Sequence, residues 1–134
     1  MKTVCLIASS EEHWGNQWGY VLSHWQPDRL YIVGDFDRSI KPFKRAIQID
    51  SAAELPDDGP IFHITPTGKT PITAFIHPGV STYVFGPDDR NISNELHGAR
   101  IADTVRIDTD NDLEMYSWVA GAIILHDRRM MDGG

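Results

Sequence analysis

A chain of 134 residues is sized for one domain, spanning residues 1–134, that buries its own core without disulfides or metals. Its 41% hydrophobic and 23% charged content is that of a globular protein, and no apolar run reaches the roughly 18 residues of a membrane span. A net charge of −7 argues against broad, non-specific nucleic-acid binding while leaving room for a local basic patch. Residues 1–10 read as a first strand rather than a signal peptide, and the single cysteine, Cys5, lies inside an apolar run. An intracellular, cytoplasmic protein with no membrane association is the expectation.

Residues 3–8 (TVCLIA) form a β-rich run without clean alternation, as in a strand covered on both faces. Gly15 and Asn16 close a polar turn, and Asn16 can cap a helix running to about Trp25. Trp18, Val21, Leu22 and Trp25 then fall at helical spacing and are expected to pack on the sheet. Gln26-Pro27-Asp28 ends that helix, and residues 29–34 (RLYIVG) read as a second buried strand, completing a βαβ unit. Residues 35–45 hold the densest basic cluster, Arg38, Lys41, Lys44 and Arg45, interleaved with Phe36 and Phe43. This cluster reads either as a solvated loop or as a patch contacting RNA phosphate.

A short strand is expected over 46–49, and Ser51 with Glu54 has the form of a capping box. Residues 61–64 make a third good strand, with a short helix near 72–76 after the Thr65–Lys69 turn. Residues 82–85 make a further strand, 92–97 a short helix, 105–107 another strand and 113–126 the final helix, with a frayed tail from Met130. The sum is an α/β fold with a parallel-dominated sheet and helices on both faces.

Several chemistries find no support. The six histidines are scattered without HxxxH, HExxH or CxxC spacing, so no metal site is expected. Asp108, Asp110 and Asp112 alternate as in a calcium loop, but the required later Gly and Glu are missing. The Thr65–Lys69 turn lacks P-loop spacing, and neither GxSxG nor GxGxxG is present. Asp88 and Asp89 are adjacent in a turn, a poor arrangement for two carboxylates to meet one substrate.

The second half has a more specific pattern. Val84-Phe85-Gly86-Pro87-Asp88 ends one strand, Val105-Arg106-Ile107 ends the next, and Met115-Tyr116-Ser117 precedes a small, apolar helical run. This resembles the SPOUT superfamily of S-adenosylmethionine-dependent methyltransferases, in its SpoU branch of tRNA and rRNA ribose 2′-O-methyltransferases. The resemblance extends loosely to the first half and is most specific over the last fifty residues. It implies a single-domain α/β knot fold, with the C-terminal part threaded into a trefoil knot, and S-adenosylmethionine as cofactor. It implies RNA, specifically tRNA, as substrate and a homodimer formed through the knot and final helix.

Carried onto this chain, the cofactor-binding positions are Ile64, Gly86, Ile107 and Met115, with Thr65, Pro87 and Tyr116 beside them. The positions implied for placing the acceptor are Asn16, Asp88 and Ser117. The chain departs from the pattern in places. The family's catalytic arginine would fall at Val21 or Leu22, Asp88 replaces a Glu, Asn91 a Gly and Ser117 an Asn. Arg45 and Arg90 are candidates to replace the arginine. Two further readings are a SPOUT protein that binds S-adenosylmethionine or RNA without catalysis, and an unrelated flavodoxin-like domain with an unknotted strand order.

Overall fold

The computed structural model describes residues 2–8, 15–86, 96, 98–111 and 115–131. The runs of β-branched and aliphatic residues form the middle of one sheet. Its strands are β1 (Lys2–Ala8), β2 (Arg29–Val33), β3 (Ile47–Gln48), β4 (Ile61–Ile64), β5 (Thr70–Pro71), β6 (Val80–Phe85) and β7 (Ile101–Arg106). Every pairing is parallel, and the spatial order is β3-β2-β1-β6-β4-β7-β5. A flavodoxin-like sheet would place β4 directly beside β1. Here β6 takes that place and β4 lies outside it, which excludes that reading.

Strand periodicity divides the interior in two. Cys5 and Ile7 of β1 join Ile32, Phe62, Tyr83, Phe85 and Val105 on one face, under the two α-helices. Val4, Leu6 and Ala8 face the other way, against Ile49, Ala52 and Leu55, with Leu96 and Ala99 at the edge. That second face carries a 3-10 turn, Ala52–Glu54, closed by the expected capping box: Ala53 N–H donates to Ser51 Oγ at 3.3 Å, and Ser51 N–H to Glu54 Oε2 at 3.1 Å. Burial pushes the Cys5 thiol up to about 12, which leaves it an inert core side chain at neutral pH.

Helix α1 (Gly15–His24) buries Trp18, Val21 and Leu22, as their spacing predicts. The final helix, α2 (Ser117–Met131), begins four residues later than expected and continues through Met130 instead of fraying there. The expected helix over 92–97 lies outside the described residues except for Leu96, which is helical. The expected strand at 105–107 is instead Ile101–Arg106, and the helix near 72–76 is a 3-10 turn, Ile72–Ala74.

Two contacts dock α2. Near its start a Cβ on Gly121 would lie 2.5 Å from the Trp18 indole, so glycine lets the ring cross against the helix backbone. Near its end Arg128, only 4% exposed, sits at the N-terminal edge of the sheet. Its guanidinium donates to Thr3 Oγ1 at 2.6 Å, the Pro78 carbonyl at 2.8 Å, the Gly79 carbonyl at 3.0 Å, the Lys2 carbonyl at 3.1 Å and Tyr83 Oη at 3.0 Å. It also lies 5.7 Å from the Tyr83 ring centre. Tyr83 Oη, accepting from Arg128, can pass its own hydrogen to His77 Nδ1 at 2.6 Å, and His77 Nε2–H then donates to Asp127 at 2.6 Å. This chain satisfies every polar atom only when His77 is neutral.

Replacing Arg128 by Met strips donors from several buried acceptors. The expected loss is about 3 kcal/mol or more, read by urea denaturation, whereas R129M, at an exposed position, shifts stability by no more than about 0.5 kcal/mol. Burial also lowers the pKa of His77 and of His63 from 6.5; for His77, Asp127 opposes that shift and Arg128 adds to it. A depressed folded-state pKa means that the unfolded chain binds protons first. The stability from these residues is therefore complete above the unfolded value and lost as pH falls through the folded one. Tm is expected to drop as pH falls below about 6.5, and H77Q, which keeps one acceptor and one donor, flattens that drop.

Candidate functional site

Strand β4 runs between β6 and β7, and the register aligns Ile64 with Phe85 on one side and Val105 on the other. The residues that follow these three strands therefore leave the sheet side by side. They are Thr65, Gly86 and Ile107. Parallel strands ending together expose a row of backbone groups at their C-terminal edge, where open α/β sheets bind small ligands.

The segment after β4 does more than turn. Residues 65–69 pass over the end of β7 from its β4 side to its β5 side, where Thr70 pairs with Val105 and Pro71 with Arg106. Thr65 N–H donates to the Val105 carbonyl at 2.9 Å, and Gly68 N–H closes the turn on the Thr65 carbonyl at 3.0 Å. A Cβ on Gly68 would lie 2.5 Å from the Val105 carbonyl carbon and 2.7 Å from the Arg106 nitrogen, so the crossing is made backbone on backbone. The Arg106 guanidinium fastens it, donating to the Gly68 and Lys69 carbonyls at 3.0 Å each and to Asp108 at 3.0 Å. At the far side Thr70 Oγ1 donates to Asp103 at 2.5 Å, which with the Thr104 N–H holds the Asp103 carboxyl below its ordinary pKa.

The second part of the site is where the helices begin. Trp18 joins them to the strand ends: its ring lies 5.2 Å from that of Phe85, the residue before Gly86, and its Nε1–H donates to Ser117 Oγ at 3.2 Å. Ser117 opens α2, while Asn16 is exposed at the second position of α1, two residues from Trp18. Tyr116, 49% exposed, stacks on Trp118 at 6.0 Å, and its carbonyl accepts from Val119 and Ala120 N–H. Met115 and Ile107 are half-buried, and Ile107 packs against the core beneath the sheet edge.

Of the positions named from the sequence, Ile64, Thr65, Gly86 and Ile107 thus share one edge. Met115, Tyr116 and Ser117 lead into α2, and Asn16 stands at the neighbouring helix start. Pro87 and Asp88, like Arg90, lie outside the described residues. Val21 and Leu22, the positions at which the resemblance places an arginine, are 4% and 1% exposed and turned into the core. Arg106 and Gly68 were missed in the sequence. Gly68 sits in a turn whose only legible signal was a weak likeness to a phosphate loop, and the partners of Arg106 are carbonyls, which leave no pattern in sequence. Among the described residues no group of three or more His, Cys, Asp or Glu side chains could hold a metal ion.

Because the Gly68 crossing is backbone on backbone, G68A must push the 65–69 segment off β7. The expected cost is about 1–3 kcal/mol, measured by thermal or urea unfolding.

Comparison with protein-family models finds no match, and no curated protein matches the sequence. Solved structures do match. A chain described under structural insights into the 2-OH methylation of C/U34 on tRNA aligns with a TM-score of 0.75 and 16% identity, over 99% of this chain and 98% of that one. A structure from Bacillus anthracis, described as a putative RNA methyltransferase, aligns with a TM-score of 0.76 and 16% identity over 98% of this chain and 95% of that one. The SpoU methyltransferase AviRb from Streptomyces viridochromogenes, in complex with AdoMet, gives a TM-score of 0.74 and 15% identity, over 97% of this chain and 58% of AviRb. At such identities the likeness is one of architecture, and it extends over nearly the whole chain: this protein has the fold of the SpoU-type RNA methyltransferases.

Proposed function

We propose that this chain is a single-domain, cytoplasmic S-adenosylmethionine-dependent RNA methyltransferase acting on a ribose 2′-hydroxyl of tRNA. The observation that carries the reading is the alignment of nearly the full length of both chains with a protein of tRNA 2-OH methylation, together with three adjacent strand ends at the expected site. The crossing of residues 65–69 over β7, with β4 placed outside β6, supports a chain threaded as a knot. Half-buried residues along α2, and exposed Tyr116, Met130 and Met131, support a homodimer that covers this helix.

The residues present fit the cofactor. Half-buried Ile107 and Met115 offer apolar lining for an adenine ring, with Ile64 beneath the edge; Gly86 allows close backbone approach, and Thr65 and Tyr116 flank the rim. Pro87 and Asp88, outside the described residues, are assigned to the cofactor and the acceptor by the resemblance alone. S-adenosylmethionine, when bound, supplies an activated methyl group on its sulfonium. The chain's own task is then to place a ribose oxygen in line with that methyl and to receive its proton. Asn16 and Ser117, at the starts of two helices joined through Trp18, are assigned to position the acceptor with Asp88.

A second reading, a SPOUT-type protein that binds cofactor or RNA without catalysis, has one specific observation in its favour. Val21 and Leu22 are core residues, so the α1 positions at which the family's arginine would fall present no cation to the site. Titration calorimetry with S-adenosylmethionine, followed by transfer of labelled methyl to bulk tRNA and nucleoside analysis, separates the two. The expected result is binding with label at a ribose 2′-oxygen. Cofactor binding without transfer supports the second reading, and neither binding nor transfer overturns the first.

A further inference from the structure

The segment between β2 and β3 is the most basic in the chain. Of 12 lysines and arginines, residues 38–45 hold Arg38, Lys41, Lys44 and Arg45, and no carboxylate occurs from 38 to 49. A cluster of this kind on a flexible loop would be an ordinary solvated surface. The structure shows something more constrained. Lys41–Arg45 forms a 3-10 turn with Pro42 inside it and the Phe43 side chain 0% exposed beneath it. Phe36 packs on Phe43 with ring centres 4.8 Å apart. Arg38 spends its charge internally, donating to the Ala46 carbonyl at 2.8 Å and reaching the Phe43 carbonyl at 3.5 Å.

The turn is also locked to the helix that opens the candidate site. The Ile40 side chain lies where a Cβ on Gly19 would be 2.5 Å from it and one on Gly15 3.2 Å away. Those two glycines let Ile40 nest against the first half of α1, on either side of Asn16 and Trp18. Lys41, Lys44 and Arg45 are left exposed beside that helix, and none has an ion-pair partner among the described residues. Both phenylalanines are buried, so the turn has no free ring on which a base could stack. What it offers is a rigid set of three cations.

We propose that this turn is a phosphate-contacting surface that holds the backbone of the RNA substrate beside the N-terminal end of α1. The inference rests on the RNA reading given above and adds the surface that positions the chain's polyanionic partner. Because the turn's backbone is braced by Phe43, Pro42 and Ile40, binding needs ordering of the exposed side chains but not of the loop. Contacts to phosphate alone predict affinity with strong salt dependence and little preference for base sequence. On a protein of net charge −7 this is also the kind of local patch that RNA binding requires.

The test uses the full chain and fluorescence anisotropy with labelled bulk tRNA over a range of salt concentrations. The triple variant K41Q/K44Q/R45Q is expected to bind tRNA about tenfold or more weakly at low salt, with a salt slope reduced by about two. Its calorimetric affinity for S-adenosylmethionine is expected to stay unchanged, which shows that the fold and cofactor site are intact. R29Q, at the opposite edge of the sheet, is expected to bind tRNA as the wild type does. Equal affinity and slope in the triple variant overturns the proposal while leaving the methyltransferase reading standing. An equal loss in R29Q overturns it as well, since the attraction would then be diffuse. Displacement of tRNA by polyglutamate at equal charge concentration would mark a surface for acidic protein instead. A wild type that neither binds nor methylates tRNA removes both this inference and the reading beneath it.

Discussion

Helix α2 is held at two points, and the placement of the site depends on both. Trp18 fills the notch at Gly121 and reaches Ser117 at one end; Arg128 is enclosed by the N-terminal edge of β1 and β6 at the other. Between Ser117 and Arg128 a helix rises about 16 Å, while β6 advances about 13 Å from Ser81 to Phe85. One helix therefore spans the sheet from its N-terminal to its C-terminal edge. A shift of α2 along its axis would take the guanidinium from its carbonyls and the indole from its notch together. The start of α2, with Ser117 and Tyr116, is thereby fixed against strand ends that lie on the far side of the core from Arg128.

The site that results is made largely of backbone. Gly68 over β7, the Thr65 N–H on Val105, the aligned ends of β4 and β6 and the Tyr116 carbonyl are features of chain path more than of side chain. Features of chain path tolerate wide substitution, in keeping with a structural likeness that covers nearly the whole chain at 16% identity. Under the proposed function, chemistry is the part more exposed to substitution, since activation of a hydroxyl needs particular side chains in particular places.

Much of this was legible in the sequence because burial in a parallel sheet leaves a continuous apolar run. The strands containing Cys5, Ile32, Phe62 and Tyr83 were all readable in that way. Strand β7 is only partly legible in sequence because Ala102, Asp103 and Thr104 give its first half no apolar signature, in keeping with their exposed and half-buried places. Strand β5, two residues containing Pro71 at the sheet edge, was invisible for the reason that prolines are tolerated there, namely that one side of the strand is unpaired. The start of α2 was set too early because Leu113 and Met115 look like helix positions. Its end was set too early because Arg128 reads as a surface charge, and nothing local announces that carbonyls more than forty residues away will enclose it. Phe36 and Phe43 show the converse: they lie in a segment that reads as a solvated loop or a phosphate-contacting patch, yet tertiary contacts turn both rings inward.

The distribution of cations shows what the fold has left free. Arg128 is spent on the sheet, Arg106 on the 65–69 crossing and Arg38 on its own turn. Lys2 pairs with Asp58, and Arg100 approaches Asp57 at 3.9 Å. Arg29 stands at the opposite edge of the sheet from the site, and Arg129 follows Arg128 there. A polyanion approaching the start of α1 therefore meets, as its one concentrated group of uncommitted charge among the described residues, the turn bearing Lys41, Lys44 and Arg45. The same glycines that let Ile40 approach α1 set that turn's position relative to Asn16. Packing of small residues against an apolar side chain, made for stability, thus also decides where the chain presents positive charge.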